Sequence, residues 1–279
     1  MRTMTMTTIA VSMTALGALE TARAQIDFDA PFPAHHMIGN VYFVGTAALG
    51  TFLITTPDGH ILINSDFERT VPMIRRGVEA LGFDFADIEI ILGSHAHGDH
   101  MEADALVKEL TGAEVVAMAE DVPALRAMQP GGKPHPIDRV IHDGDTVSLG
   151  GTTLTAHLTP GHTKGCTTWT FEVEENGQRY DAVIVCSFGV NDNYILVDNA
   201  NYPGIVADYE RTFAKARSLD VDVFLGAHGF WFDLEGKYER LQSPSFGATN
   251  PYVDPDGYLE HVDLQESRFR AMLEAQRKP

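Results

Sequence analysis

Positive charge is scarce in this chain. Lys and Arg number 20 against 39 Asp and Glu, a formal net charge of -19. That balance argues against nucleic acid as a partner, because phosphate contacts need a basic surface; an acidic surface otherwise mostly aids solubility. Long apolar runs are missing beyond the N-terminal segment, so no transmembrane helix is expected. There is no low-complexity tract and no short-period repeat. No serine-nucleophile motif with a positioned base stands out, so covalent catalysis is not favoured. Cysteine is nearly absent, at two residues. What remains is 279 residues, 44% of them hydrophobic. That is enough for a sizeable core and argues against disorder. No composition break marks a linker, so one domain is expected over 25–279.

The first residues have the pattern of an export signal. Arg2 supplies a positive start, Met6 to Leu19 is mostly small and apolar, and Ala22-Arg23-Ala24 offers a small-x-small cleavage site. A first helix of the fold is the alternative, but the stretch lacks polar periodicity. The expectation is a signal peptide over 1–24, with the mature protein starting near Gln25 in the periplasm.

Strand and helix patterns alternate along the rest. Strands are expected at Val41 to Val44, Thr51 to Thr55, His60 to Asn64, Ile88 to Leu92, Glu114 to Met118, Val147 to Leu149, Thr153 to Leu158, Thr167 to Val173, Tyr180 to Val185 and Val221 to Leu225. Helices are expected at Val71 to Leu81, Glu102 to Leu110, Val122 to Met128, Ile205 to Leu219, Glu235 to Leu241 and His261 to Ala275. Such a series suggests two packed sheets with helices outside.

The most informative stretch is His95-Ala96-His97-Gly98-Asp99-His100. It follows the apolar strand Ile88 to Leu92 and precedes a helix. Imidazole nitrogen and carboxylate oxygen suit zinc, and a catalytic site keeps one coordination position open for water. Solvated loop histidines are the plainer reading, but this mixture of ligand types at a strand end is hard to obtain by accident. Two further histidines follow strands in the same way, His162 in Thr159-Pro160-Gly161-His162-Thr163 and His228 in Gly226-Ala227-His228. Together the six residues complete two sites: His95, His97 and His162 in one, Asp99, His100 and His228 in the other.

Cys166 and Cys186 flank a hairpin pattern with Asn176-Gly177 at its turn. Folding there brings the two close to opposite one another. A two-residue turn would misregister them by one place; a three-residue turn or a bulge would align them. A disulfide in an oxidising compartment and two buried free thiols both remain open.

With these motifs on the page, the chain resembles the metallo-β-lactamase superfamily, and within it the third, two-zinc, broad-spectrum subclass of metallo-β-lactamases. The likeness rests on Gly59-His60-Ile61-Leu62-Ile63-Asn64, the His95 to His100 cluster, Thr159 to Gly165, Gly226-Ala227-His228 and the tail Asn250-Pro251-Tyr252-Val253-Asp254-Pro255. It implies an α/β fold, an αββα sandwich of two mixed sheets with helices on the outer faces. It implies two zinc ions per chain, held by the six residues above, and a monomer acting on a small-molecule β-lactam with no nucleic acid or membrane partner. Asp99 is expected to hold the second zinc and to orient the attacking water, Ser187 to anchor the substrate carboxylate, and Tyr194 to donate to the oxyanion. The expected reaction opens the ring of penicillins, cephalosporins and carbapenems.

Glyoxalase-type thioesterases and many lactonases of the superfamily carry a bridging aspartate where this chain has Cys186-Ser187. Its absence argues against a lactone or thioester as substrate. The first subclass has a zinc-binding cysteine there, but Cys186 falls one place early and His100 already supplies the ligand. Storage of zinc without catalysis is disfavoured by the open coordination position. Met101-Glu102-Ala103-Asp104 departs from the small residue and glycine usual after the cluster. These carboxylates can tune zinc affinity, narrow the pocket or favour the helix start, and the last is the simplest reading.

Overall fold

A computed structural model describes residues 26–243 and 249–278. The expected signal segment over 1–24 lies outside the described residues.

Two sheets face each other. The first has seven strands in sequential order: β1 (His35–Ile38), β2 (Val41–Phe43), β3 (Phe52–Thr56), β4 (Gly59–Ile63), β5 (Ile88–Leu92), β6 (Glu114–Met118) and β7 (Arg139–Ile141). Pairing is antiparallel from β1 to β4 and parallel from β4 to β7. The second has five: β8 (Thr146–Leu149), β9 (Thr152–Leu158), β10 (Thr167–Glu175), β11 (Gln178–Val185) and β12 (Val223–Gly226), in the order β12-β11-β10-β9-β8. Only β11 and β12 run parallel there. This is the expected αββα sandwich.

Alternation along the strands sorts residues between two layers. Ile61, Ile63, Ile90 and Leu92 join the core between the sheets. Leu62 and Ile91, their neighbours in sequence, join an outer cluster with Val71, Ile74 and Val78 of α1 (Val71–Ala80) and Val107 of α3 (Asp104–Thr111). On the other side α5 (Ile205–Ala216) and α7 (Pro255–Arg277) pack through Tyr209, Phe213 and Phe269. Trp169 of β10 fills the space between the sheets, and its indole N–H donates to Gly93 O at 3.1 Å. The second sheet is thereby tied to the loop that leaves β5. Truncating this ring would cost about 3–5 kcal/mol.

β5 and β6 lie where expected to the residue. β1 and β7 carry no expectation; each is short and sits at a sheet edge, where pairing rather than pattern decides. The expected Glu102 helix starts two residues late, as α3, and a separate short helix, α2 (Gly98–Met101), holds the end of the ligand run, Asp99 and His100. α4 (Val122–Ala127) and α6 (Leu234–Gln242) match expectation within a residue. α7 starts six residues early because Asp254 caps it, accepting from Gly257 N at 3.0 Å, with Pro255 in its first turn.

The β10–β11 turn is the two-residue Asn176-Gly177, with Glu175 opposite Gln178. The cysteines are therefore offset by one place, yet they are bridged, with Cα atoms 5.8 Å apart. Both lie just beyond the ladder, where register no longer constrains the two chains.

Candidate metal centre

Three strand ends deliver the six expected ligands. The loop after β5 brings His95 and His97, and α2 adds Asp99 and His100. Asn64 supports this loop from below. Its Nδ2 donates to Gly50 O at 2.8 Å and its Oδ1 accepts from Ser94 N at 2.9 Å. It does so in the left-handed region, at φ 63°, which asparagine tolerates better than most residues. The loop after β9 carries His162 behind Gly161. Glycine is required there, since φ is +136° and a Cβ would sit 2.7 Å from the Tyr209 ring. The end of β12 carries His228, placed against β3's approach by Gly50 N donating to Ala227 O at 2.8 Å.

One residue that sequence reasoning missed joins two of these loops. Asp121, buried before α4, accepts from Ala96 N at 2.9 Å, Thr163 Oγ1 at 2.9 Å and Gly165 N at 2.7 Å. Burial raises its pKa against these three donors. Its only signal in sequence is an acid ahead of a helix, which reads as an N-terminal charge.

The geometry brings both sets together. Ligand atoms of His95, His97 and His162 lie within 4.8 Å of one another, as do those of His95, Asp99 and His100. Asp99 Oδ2 is 3.4 Å from His100 Nε2 and 3.7 Å from His228 Nε2. His162 Nδ1 donates to Gly189 O at 2.9 Å and His228 Nδ1 to Ala48 O at 3.2 Å, which turns each Nε2 inward. Burial, then repulsion among the crowded imidazoles, holds His95, His100 and His228 below the ordinary histidine range and His162 down to about 3. They are neutral at pH 7, the form in which imidazole binds metal.

The donor set fits zinc. His100 is fully buried, and neither ring nitrogen has a hydrogen-bond partner among the described residues. An orphaned buried polar group costs about 1–3 kcal/mol, and a coordinated cation would satisfy it. Asp66 is buried close by with both carboxylate oxygens unpartnered among the described residues. Burial raises its pKa to about 7, a Thr51 contact opposes that, and the Asp99 charge adds to it.

The cluster forms the floor of an open cavity of about 580 Å³. His97, Asp99, His162 and His228 line it, and so does Ser187, as the carboxylate-anchor expectation requires. Phe28, Trp231 and Gln265 form walls, and Arg268 is the only Lys or Arg among the described lining residues. Arg268 makes no ion pair with a described acid. Nothing in the amphipathic pattern of α7 distinguished it.

Tyr194 lies against His162. Its hydroxyl donates to His162 O at 2.7 Å, its ring stacks on the His162 ring, and it is not among the cavity lining residues. In this arrangement its hydrogen goes to a carbonyl, and ring and hydroxyl together support His162. Burial pushes its pKa up to about 12. The acids after the cluster have structural employment. Glu102 accepts from Glu68 N at 3.3 Å, and Asp104 is buried between Ser65 Oγ at 2.7 Å and His135 Nε2 at 3.2 Å. Cys186, bonded to Cys166, has no thiolate to offer a metal.

Residues 50–228 match the family model of the metallo-beta-lactamase superfamily. The fold is similar to the FEZ-1 metallo-β-lactamase of Legionella gormanii, 44% identical over 91% of this chain and 100% of that one, with a TM-score of 0.86. It is also similar to BJP-1, a subclass B3 metallo-β-lactamase of Bradyrhizobium japonicum, 36% identical over 89% and 96% of the two chains, with a TM-score of 0.81. Among curated proteins, a hydroxyacylglutathione hydrolase of Hyphomonas neptunium is 35% identical over 102 residues. That match spans 37% of this chain and 36% of the relative, little more than a third of its length.

Proposed function

This chain belongs to the metallo-β-lactamase superfamily, and we propose that within it the protein is a zinc-dependent hydrolase that opens the β-lactam ring of penicillins, cephalosporins and carbapenems. The observation that carries the reading is the meeting of two ligand triads, His95, His97, His162 and Asp99, His100, His228, of which His97, Asp99, His162 and His228 line one open cavity. The likeness to two β-lactamases over nearly their whole length supports it.

Two zinc ions held by these triads would supply a water acidified towards neutrality and a Lewis acid for the lactam carbonyl. The chain's own groups do the rest. Asp99, which lines the cavity, orients the attacking water and accepts its proton. Ser187 and the Arg268 guanidinium meet the carboxylate that these antibiotics carry beside the lactam nitrogen. Phe28 and Trp231 bind apolar substituents and thin the water around the reacting bond. No side chain forms an acyl intermediate, so carbapenems, which stall serine enzymes at that stage, should turn over.

The site is proposed to work in the periplasm. The 1–24 pattern supports export, and the Cys166–Cys186 bridge suits an oxidising compartment. No helix among the described residues is long and apolar enough to cross a membrane.

Thioester hydrolysis is the second reading, favoured by local identity to hydroxyacylglutathione hydrolases. The strand end where such enzymes are expected to carry a carboxylate reads Cys186-Ser187 here, with Cys186 in a disulfide. The deciding experiment assays zinc-loaded mature protein on a carbapenem, a lactone and a glutathione thioester, with and without chelator. Chelator-sensitive carbapenem hydrolysis, untouched by clavulanate-type inhibitors, is expected. Fast thioester or lactone cleavage with no β-lactam turnover would replace the first reading by the second.

A further inference from the structure

One expected ligand differs from the others behind its ring. His162 and His228 turn their outer nitrogens to carbonyl oxygens, the usual arrangement for a metal-binding histidine. His95 Nδ1 faces sulfur, 3.5 Å from Cys186 Sγ, with Ser94 Oγ at 3.3 Å. All three residues are buried. His95, Cys166 and Cys186 also bring their ligand atoms within 4.8 Å of one another.

We propose that the Cys166–Cys186 disulfide is a positioning element of the metal centre, accepting the His95 Nδ1 hydrogen and so keeping the Nε2 lone pair for the first metal. The proposal rests on the reading that His95 holds zinc. Its logic is one of hydrogen count. A disulfide sulfur carries no hydrogen and can only accept. The Ser94 hydroxyl accepts or donates, so it does not choose the tautomer; the sulfur does. The bridge also fixes where that sulfur sits. Thr167 N, next to Cys166, donates to Ser94 O at 2.8 Å, and Cys186 N donates to Thr168 Oγ1 at 3.3 Å. The sulfur, the His95 loop and the ends of β10 and β11 thus form one buried unit.

Reduction would change the hydrogen count. A dithiol reductant breaks the S–S bond, is itself oxidised to a disulfide, and leaves two thiols carrying the two protons. A Cys186 S–H can donate to Nδ1, which sends the ring hydrogen to Nε2, the nitrogen the metal needs.

The test uses the mature protein and two double variants. Cys166→Ala/Cys186→Ala removes bridge and acceptor. Cys166→Ala/Cys186→Met removes the bridge but restores a sulfur that carries no hydrogen and can only accept. Zinc affinity is measured against a chromophoric chelator, with the first site read alone in a His228→Ala background. The Ala/Ala variant should lose about tenfold in first-site affinity, the scale of a lost outer partner, and the Ala/Met variant should stay within about threefold of the parent by the same measure. Equal affinity in parent and both variants overturns the proposal, and so does an equal loss in both variants, which would mean cross-linking alone matters. Should neither variant fold, long-range ¹H–¹⁵N spectra of the zinc-loaded, oxidised wild-type protein decide. A protonated His95 Nδ1 supports the role and an unprotonated one overturns it. His95→Ala is the separate control: if it leaves zinc binding intact, the ligand reading fails, independently of what the disulfide does.

Discussion

Tyr194 donates its hydroxyl hydrogen to the backbone oxygen of His162 at 2.7 Å while the two rings stack 5.7 Å apart. The tyrosine thereby braces a loop whose histidine is also held through Nδ1 by Gly189 O. Tyr209 donates to that same carbonyl at 2.8 Å, so both loops share one set of supports. Tyr194→Phe should cost about 1 kcal/mol in stability, the net worth of one hydrogen bond, and lower kcat less than about threefold, because the hydroxyl does not reach the cavity. Thermal unfolding and steady-state kinetics at full zinc occupancy check this. A hundredfold fall in kcat with zinc retained would instead favour the oxyanion role.

His228 comes from a strand end remote in sequence from the main cluster and meets Asp99 at 3.7 Å. His228→Ala should reduce bound zinc from two equivalents to about one at limiting supply and cut kcat by about a hundredfold or more, the scale of a lost group that stabilises developing charge. The far-ultraviolet circular dichroism should stay the same. Two tightly held zincs in the variant would remove His228 from the site.

Arg268 brings a positive charge to the rim of a cavity in a strongly acidic protein. Arg268→Ala should raise KM for anionic β-lactams by about fivefold at low salt, roughly 1 kcal/mol for an exposed charge contact, with kcat little changed. The difference should shrink as salt screens it. An unchanged KM at low ionic strength would leave carboxylate binding to Ser187.

His261 supplies a pH test away from the ligands. It is buried among Phe188, Phe224 and Trp231. Burial, then the Arg268 charge, lowers its pKa to about 4. The unfolded chain takes up this proton near pH 6.5, and the folded chain does so only near pH 4. Acidification through that window therefore favours unfolding, by up to about 1.4 kcal/mol per pH unit for one proton. Stability is full above pH 6.5 and the loss levels off below pH 4. Denaturant titrations across pH 4–7 on wild type and His261→Gln should show a shallower slope in the variant. Parallel slopes would remove this histidine from the linkage.

The sequence by itself determined the chemistry of the centre. The expected ligands follow apolar runs that read as buried strands, and imidazole and carboxylate are donor types that suit zinc. The same alternation fixed the two-sheet sandwich, since apolar residues at period two need a partner layer. Tertiary structure decided what depends on distant segments meeting. Asp121 reads as a helix-start acid until the fold brings Ala96 and Gly165 to it. Arg268 reads as one more exposed helix charge until α7 passes the cavity. The acceptor of the Tyr194 hydroxyl is likewise set by the fold, because a sequence does not say which acceptor a hydroxyl will find, and here a carbonyl 32 residues away lies at 2.7 Å. The cysteines were undecided for a related reason. Hairpin register set them one place apart, and only the divergence of the chains beyond the last ladder pair brought their Cα atoms to 5.8 Å.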